Sequence, residues 1–153
     1  MIGHVLDCIP ASPSTLIDVY CGVGLFSSFL APRCRRLIGI ESSAPACEDF
    51  AVNLDEFDNV ELYEDTAERV LPALDIRPDA VVLDPPRTGL ERAALDGLVK
   101  LAPPTIVYIS CDPATLARDA SRLIKGGYQM ESVTPFDMFP QTYHIESISV
   151  FKK

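Results

Sequence analysis

The sequence predicts an α/β fold, a doubly wound, mostly parallel seven-stranded sheet with an antiparallel C-terminal edge hairpin. Three observations predict it. Short apolar runs of strand length alternate with segments whose apolar residues recur at helical spacing, the rhythm of βα units that feed a parallel sheet. A glycine-rich turn, Cys21-Gly22-Val23-Gly24, follows the first apolar run at once. After Gly126-Gly127 the rhythm changes to two strand-like runs with no helix between them, which favours antiparallel pairing.

A chain of 153 residues with 48% apolar content suits one globular domain with a real core, spanning residues 1–153. Neither an internal repeat nor a low-complexity segment interrupts it. Residues 1–14 run from a short apolar stretch to Pro10, Pro13 and serines, and read as the tail of an upstream helix or linker. Thirteen basic against 22 acidic side chains give a net charge of −9. A protein that gripped a phosphate backbone unaided should be basic, so this chain has no such electrostatic footprint. No apolar run reaches membrane-spanning length and no signal-peptide pattern opens the chain, so a cytoplasmic protein is expected. Cys8, Cys21, Cys34 and Cys47 stand thirteen residues apart. Metal and iron–sulfur sites favour close cysteine pairs, so the spacing is read as coincidence, with no metal or cluster.

The elements follow in order. Leu16 to Tyr20 reads as a buried strand, and the glycine turn leads into a short helix ending near Pro32. Gly22 and Gly24 allow a close approach of the backbone to a nucleoside, with helix N–H groups facing it. The third glycine of a dinucleotide fingerprint would stand at position 27, which is Ser27, and this counts against a nicotinamide cofactor. Arg36 to Glu41 is a second strand. Its terminal Glu41 suits hydrogen bonding to a ribose diol better than mere solvation. A helix then carries Ala46, Cys47, Phe50, Ala51 and Leu54 on one face, with Ser43 and Pro45 at its start. Val60 to Tyr63 is a third strand, followed by Asp65, which either accepts from an adenine amino group or faces solvent. Residues 66–78 carry no assignment.

Asp79 to Leu83 is the fourth strand, and Asp84-Pro85-Pro86-Arg87-Thr88-Gly89 follows directly. Two prolines stiffen that loop and hold the Asp84 carboxylate beside the glycine turn, a functional arrangement rather than a plain turn. A helix over 91–102 leads to the fifth strand, Ile106 to Ile109, and to Ser110-Cys111-Asp112-Pro113. Asp112 is a natural N-cap and Pro113 a natural first residue for a helix reaching Lys125. Cys111 thus stands beyond the carboxyl end of a strand, where the helix dipole and nearby amides would favour a thiolate. Taken alone, it serves equally well as a small apolar turn residue. Tyr128 to Phe136 and His144 to Phe151 form the antiparallel pair. Alternation puts Glu146 on the face of Ile148 and Val150, an odd place for a carboxylate with no task. His144 shares that face and reads as a structural hydrogen-bonding residue.

Four segments together carry a resemblance. They are Asp18-Val19-Tyr20-Cys21-Gly22-Val23-Gly24-Leu25-Phe26-Ser27, Asp84-Pro85-Pro86-Arg87, Ser110-Cys111-Asp112-Pro113-Ala114-Thr115-Leu116-Ala117-Arg118-Asp119 and Asp137-Met138-Phe139-Pro140-Gln141-Thr142-Tyr143-His144-Ile145-Glu146. From about residue 14 onward the chain resembles the RNA uracil-5-methyltransferases, which use S-adenosylmethionine to methylate carbon 5 of uridines in tRNA or rRNA. The resemblance implies a Rossmann-like class I methyltransferase domain, with Cys111 as nucleophile and Glu146 as the base that removes the C5 proton. It implies Asp18, Tyr20, Gly22, Gly24, Glu41 and Asp65 as cofactor contacts, with Asp84 lining a pocket shared by cofactor and base and Arg87 beside it on the substrate side.

The resemblance also implies RNA as partner, held mainly by an N-terminal β-barrel and a central domain that this chain does not include. An aromatic-x-Gln-x-Asn segment that closes over the cofactor in the family falls upstream as well, and position 25 is Leu where many members are polar. A catalytic domain of a longer enzyme is the expectation. The competing readings are a non-catalytic cofactor-binding fragment and an amino-group methyltransferase, the latter disfavoured because it needs neither Cys111 nor Glu146.

Overall fold

The computed structural model describes residues 1–138, 140–142 and 145–153. Seven strands make one sheet: β1 (Thr15–Val19), β2 (Arg36–Glu41), β3 (Val60–Glu64), β4 (Ala80–Leu83), β5 (Thr105–Ser110), β6 (Gln129–Phe136) and β7 (Glu146–Lys152). Their order across the sheet is β3-β2-β1-β4-β5-β7-β6. The first five run parallel to their neighbours, and β7 is antiparallel to both β5 and β6. The expected C-terminal pair is therefore present, with β7 on the inside and β6 as the edge.

Apolar residues on both faces of the central strands explain the layering. In β1, Leu16 and Ile17 are both fully buried but join different clusters, because successive side chains point to opposite faces. Ile17, Val81 and Ile106 pack under α4 (Ala67–Ala73), α5 (Arg92–Leu101) and α6 (Pro113–Lys125). Leu16, Val82, Val107, Ile109 and Ile148 pack under α1 (Ile2–Cys8) and α2 (Leu25–Leu30). Covered on both sides, the parallel strands read as continuous apolar runs. Helix α3 (Ala44–Asn53) adds a small third cluster, Cys21, Phe50 and Leu54.

Helix α1 belongs to this core: Val5 and Ile9 are buried, and the His4 ring meets Phe136 edge-on at 5.5 Å. Helix α4 fills the stretch left unassigned above. It contains Pro72, and its seat is Gly97 of α5, where a Cβ would stand 2.7 Å from the Pro72 nitrogen. The two helices meet backbone to backbone. Chain direction diverges at the carboxyl ends of β1 and β4, opening the crevice where such sheets bind ligands. No helix among the described residues is long and apolar enough to cross a membrane.

Candidate active site

The first half of the site is the turn after β1. Tyr20, expected as the last strand residue, instead has φ 62 and turns the chain out of the sheet. Its amide and that of Cys21 both donate to the Ile40 carbonyl, at 2.9 and 3.2 Å. The Tyr20 hydroxyl donates to Glu68 on α4 at 3.3 Å. The two glycines do different work. At Gly22, with φ 54, a Cβ would meet nothing within 4 Å, so the turn faces open space there. At Gly24, with φ 89, a Cβ would stand 2.5 Å from Leu54 and 3.0 Å from Phe50, so this glycine lets α2 close on α3.

Glu41 ends β2 beside the turn. One carboxylate oxygen accepts from the Gly22 amide at 3.0 Å and the other from the Ser42 and Ser43 amides, both at 2.8 Å. It ties the glycine turn to the start of α3. Asp18 lies beneath, fully buried in β1, where its Oδ2 accepts from the Ser27 hydroxyl at 2.6 Å and its Oδ1 has no partner. Burial pushes its carboxyl up to about 7, against the Ser27 hydrogen bond, and the carboxylates of Asp84 and Glu41 add to the rise.

The second half is a pocket of about 450 Å³ that brings together Asp84, Cys111 and Glu146 against Leu25, Phe26, Ile109 and Met138, with Met1 and Ile2 at its side. Strand pairing sets this meeting. The β5–β7 register ends at Ser110 opposite Ser147, so Cys111 and Glu146 leave the end of the ladder as neighbours of that last pair. Ile109 and Ile148, one pair earlier, share a cluster with Phe26, so the pocket opens on the α1–α2 face of the sheet. Asp84 enters from β4, its amide donating to the Val19 carbonyl at 3.2 Å. Standing at the pocket mouth, it keeps solvent contact. Partial withdrawal from water and then the neighbouring Glu146 push its carboxyl up to about 6.

Cys111 stands immediately before the cap of α6. Asp112 caps α6 as predicted, its Oδ1 accepting from the Ala114 and Thr115 amides, both at 2.9 Å. These bonds, with a smaller contribution from the Arg87 charge, hold the Asp112 carboxyl below its ordinary value. Pro113 has no N–H, and the Leu116 amide donates to the Asp112 carbonyl. The Ala114, Thr115 and Leu116 amides at the start of α6 are thus all taken by Asp112.

Asp65 sits apart from this pocket. Its Oδ1 accepts from the Thr66 amide at 2.8 Å and pairs with Arg69 at 3.1 Å, in a hollow lined by Tyr63, Val70 and Leu74. Arg87 is exposed on the loop after β4. His144 lies outside the described residues. No group of three or more metal-ligating side chains occurs among the described residues, and all five cysteines are free. The apolar wall of Phe26, Ile109 and Met138 was not singled out in the sequence, where such residues look like ordinary core.

A doubly wound sheet in this order, with a glycine turn at β1 and a carboxylate ending β2, defines a class I methyltransferase fold. The chain belongs to the tRNA (uracil-5-)-methyltransferase family, whose model matches residues 1–153. An uncharacterized RNA methyltransferase of Halalkalibacterium halodurans is 44% identical over 143 residues, covering 90% of this chain and 31% of that protein. One from Streptomyces avermitilis is 40% identical over 148 residues, covering 94% and 34%. The chain spans about a third of the length of these curated relatives. Among solved structures, the Pyrococcus abyssi tRNA (uracil-54, C5)-methyltransferase in complex with S-adenosyl-L-homocysteine aligns with a TM-score of 0.81 at 30% identity, over 98% of this chain and 36% of that one. The N-methyltransferase NodS of Bradyrhizobium japonicum aligns at 0.84 with 16% identity, over 99% and 93%, a likeness of fold alone.

Proposed function

We propose that residues 1–153 act as the catalytic domain of an enzyme that transfers a methyl group from S-adenosylmethionine to carbon 5 of a uridine in tRNA or rRNA, in the cytoplasm. The observation that carries this reading is the single pocket holding Cys111, Glu146 and Asp84 next to the glycine turn. Family membership and the likeness to the Pyrococcus enzyme support it.

The residues of the turn fit the cofactor. Gly22 leaves open space where a side chain would stand, and Glu41 holds that turn in place at the end of β2. Asp18, with one oxygen unpartnered under the same turn, and Tyr20, Gly24 and Asp65 complete the proposed set. Bound there, S-adenosylmethionine supplies an electrophilic methyl group.

The chain's own residues prepare the acceptor. Carbon 5 of uracil is a weak nucleophile, and a Cys111 thiolate adding to carbon 6 gives carbon 5 enolate character. After methylation carbon 5 still carries its proton. Glu146, in the same pocket as Cys111, removes that proton. The electron pair released re-forms the C5–C6 double bond and expels the Cys111 sulfur. Asp84 and Arg87 are assigned to the substrate side, Asp84 to hydrogen-bond the base and Arg87 to lie towards its phosphate.

Trapping tests the two roles. With the enzyme extended to the full length of its relatives, RNA carrying 5-fluorouridine should give a denaturation-resistant adduct, because the base cannot remove fluorine as a cation. Glu146→Gln should accumulate the same adduct on ordinary RNA, and Cys111→Ala should form none. An adduct that persists in Cys111→Ala, or methyl transfer without that thiol, overturns the mechanism.

A further inference from the structure

Arg118 and Asp119 of α6, in the third of the resemblance-bearing segments, have no part in the chemistry above, yet Asp119 is a fully buried carboxyl group at the centre of a dense network. Its Oδ2 accepts from the Tyr108 hydroxyl at 2.9 Å and from the Leu90 amide at 2.7 Å. Its Oδ1 accepts from Arg118 Nε at 2.9 Å. The Arg118 guanidinium reaches onward, donating to the Thr88 carbonyl at 2.8 Å and the Leu90 carbonyl at 3.3 Å. Gly89 passes between them with φ 71, and a Cβ there would collide with both the Asp119 carboxylate and the Arg118 guanidinium.

Three of these contacts, at the Leu90 amide and the Thr88 and Leu90 carbonyls, end on one segment, the loop that begins at Asp84. Its near end is fixed to the sheet by the Asp84 amide on Val19. Pro85 and Pro86 stiffen the span, and the Gly89 amide closes a turn on the Pro86 carbonyl at 2.8 Å. Its far end is held by Asp119 and Arg118 of α6, and Asp119 is tied in turn to Tyr108, three residues before Cys111. A buried carboxylate is costly unless every oxygen is satisfied, and here three donors satisfy it. One of them is a loop amide.

We propose that Asp119, braced by Arg118, is a positioning residue that locks the 84–90 loop onto α6 and β5, and so sets where the Asp84 carboxylate stands relative to Cys111 and Glu146. This rests on the proposed function only in taking that pocket as the reacting one. The clamp spans the elements that carry Cys111 and Asp84, so displacement of either is felt at the other. Asp119 touches no reacting atom and acts through the loop.

The titration of Asp84 reports its position without turnover, since the crowding of the pocket and Glu146 hold its carboxyl at about 6. Carboxyl-carbon NMR of the 153-residue chain, with Asp84→Asn to assign the signal, should find Asp84 near that value. In Asp119→Asn and Arg118→Lys it should fall back toward the ordinary aspartate range, and the Leu90 amide should exchange roughly tenfold to a hundredfold faster than in the parent. Arg118→Lys keeps the charge on a half-exposed side chain but loses the fork, so it remains informative where the buried substitution does not fold. These shifts in the chain, together with no methyl transfer by the enzyme extended to the full length of its relatives, uphold the clamp while counting against the proposed function. If both variants melt at lower temperature but leave the Asp84 titration and the Leu90 exchange rate unchanged, Asp119 is core support only and the positioning role is overturned.

Discussion

Asp18 carries the clearest consequence at the scale of single residues. Its carboxyl titrates at about 7 when folded, above the roughly 3.9 of an unfolded chain. Between those values the folded chain holds a proton that the unfolded chain has released, so stability is full below pH 4 and falls as pH rises to 7. The slope is at most about 1.4 kcal/mol per pH unit for one group. Asp84 acts in the same direction over a narrower window and adds less, being exposed. Asp18→Asn removes the titration and keeps the shape. Its stability relative to the parent should therefore improve by about 2–3 kcal/mol between pH 5 and pH 8, read from denaturant midpoints. A parent whose stability is level across that range would show that Asp18 stays charged. At this scale the sequence was informative about identity and less so about task. Glu41 was legible as a strand-end acid beside a glycine turn, but not as the acceptor of three backbone amides, which depends on how the α3 entry folds back. Gly24 was legible as a turn residue, whereas its need for a missing Cβ comes from Leu54, thirty positions on.

Helix α4 shows where element-level reading stops. Its seven residues include Pro72, which removes a donor and argues against a helix locally. What holds it is tertiary: Val70 and Leu71 enter the core, Lys100 of α5 donates to the Pro72 carbonyl at 3.0 Å, and Gly97 lets α5 lie against it. Helix α6, by contrast, has its cap, its first proline and a continuous apolar face in the chain itself, and its limits were legible to the residue. The backbone contact at Gly97 cannot be relieved by a rotamer change. Gly97→Ala should thus cost about 1–3 kcal/mol through overpacking, despite the better helix propensity of alanine. Chemical denaturation checks it, and an alanine variant as stable as the parent would mean α4 shifts freely.

The whole molecule is acidic, with a net charge of −9. Counterion release scales with phosphates neutralised, so the 153-residue chain alone should bind non-specific RNA weakly at physiological salt. A gel shift with tight, salt-sensitive binding would show that the chain carries its own RNA grip. The parallel direction of the first five strands followed from alternation of elements, whereas the grouping of Cys111, Asp84 and Glu146 was implied by the resemblance rather than by local pattern. The place of β7 did not follow, because a hairpin can join a sheet by either strand and local sequence is the same in both cases. Here the inner strand is β7, which lies between β5 and β6, and among the described residues β6 pairs with β7 alone. Remove β7 and a slot about 10 Å across remains between them, two interstrand spacings wide. That slot is a socket for donor-strand complementation. A synthetic peptide of residues 145–153, offered to a chain ending at 138, should seat there and restore the fold. Because Glu146 travels on the peptide, its carboxylate becomes an interchangeable part, open to side chains that the ribosome cannot supply.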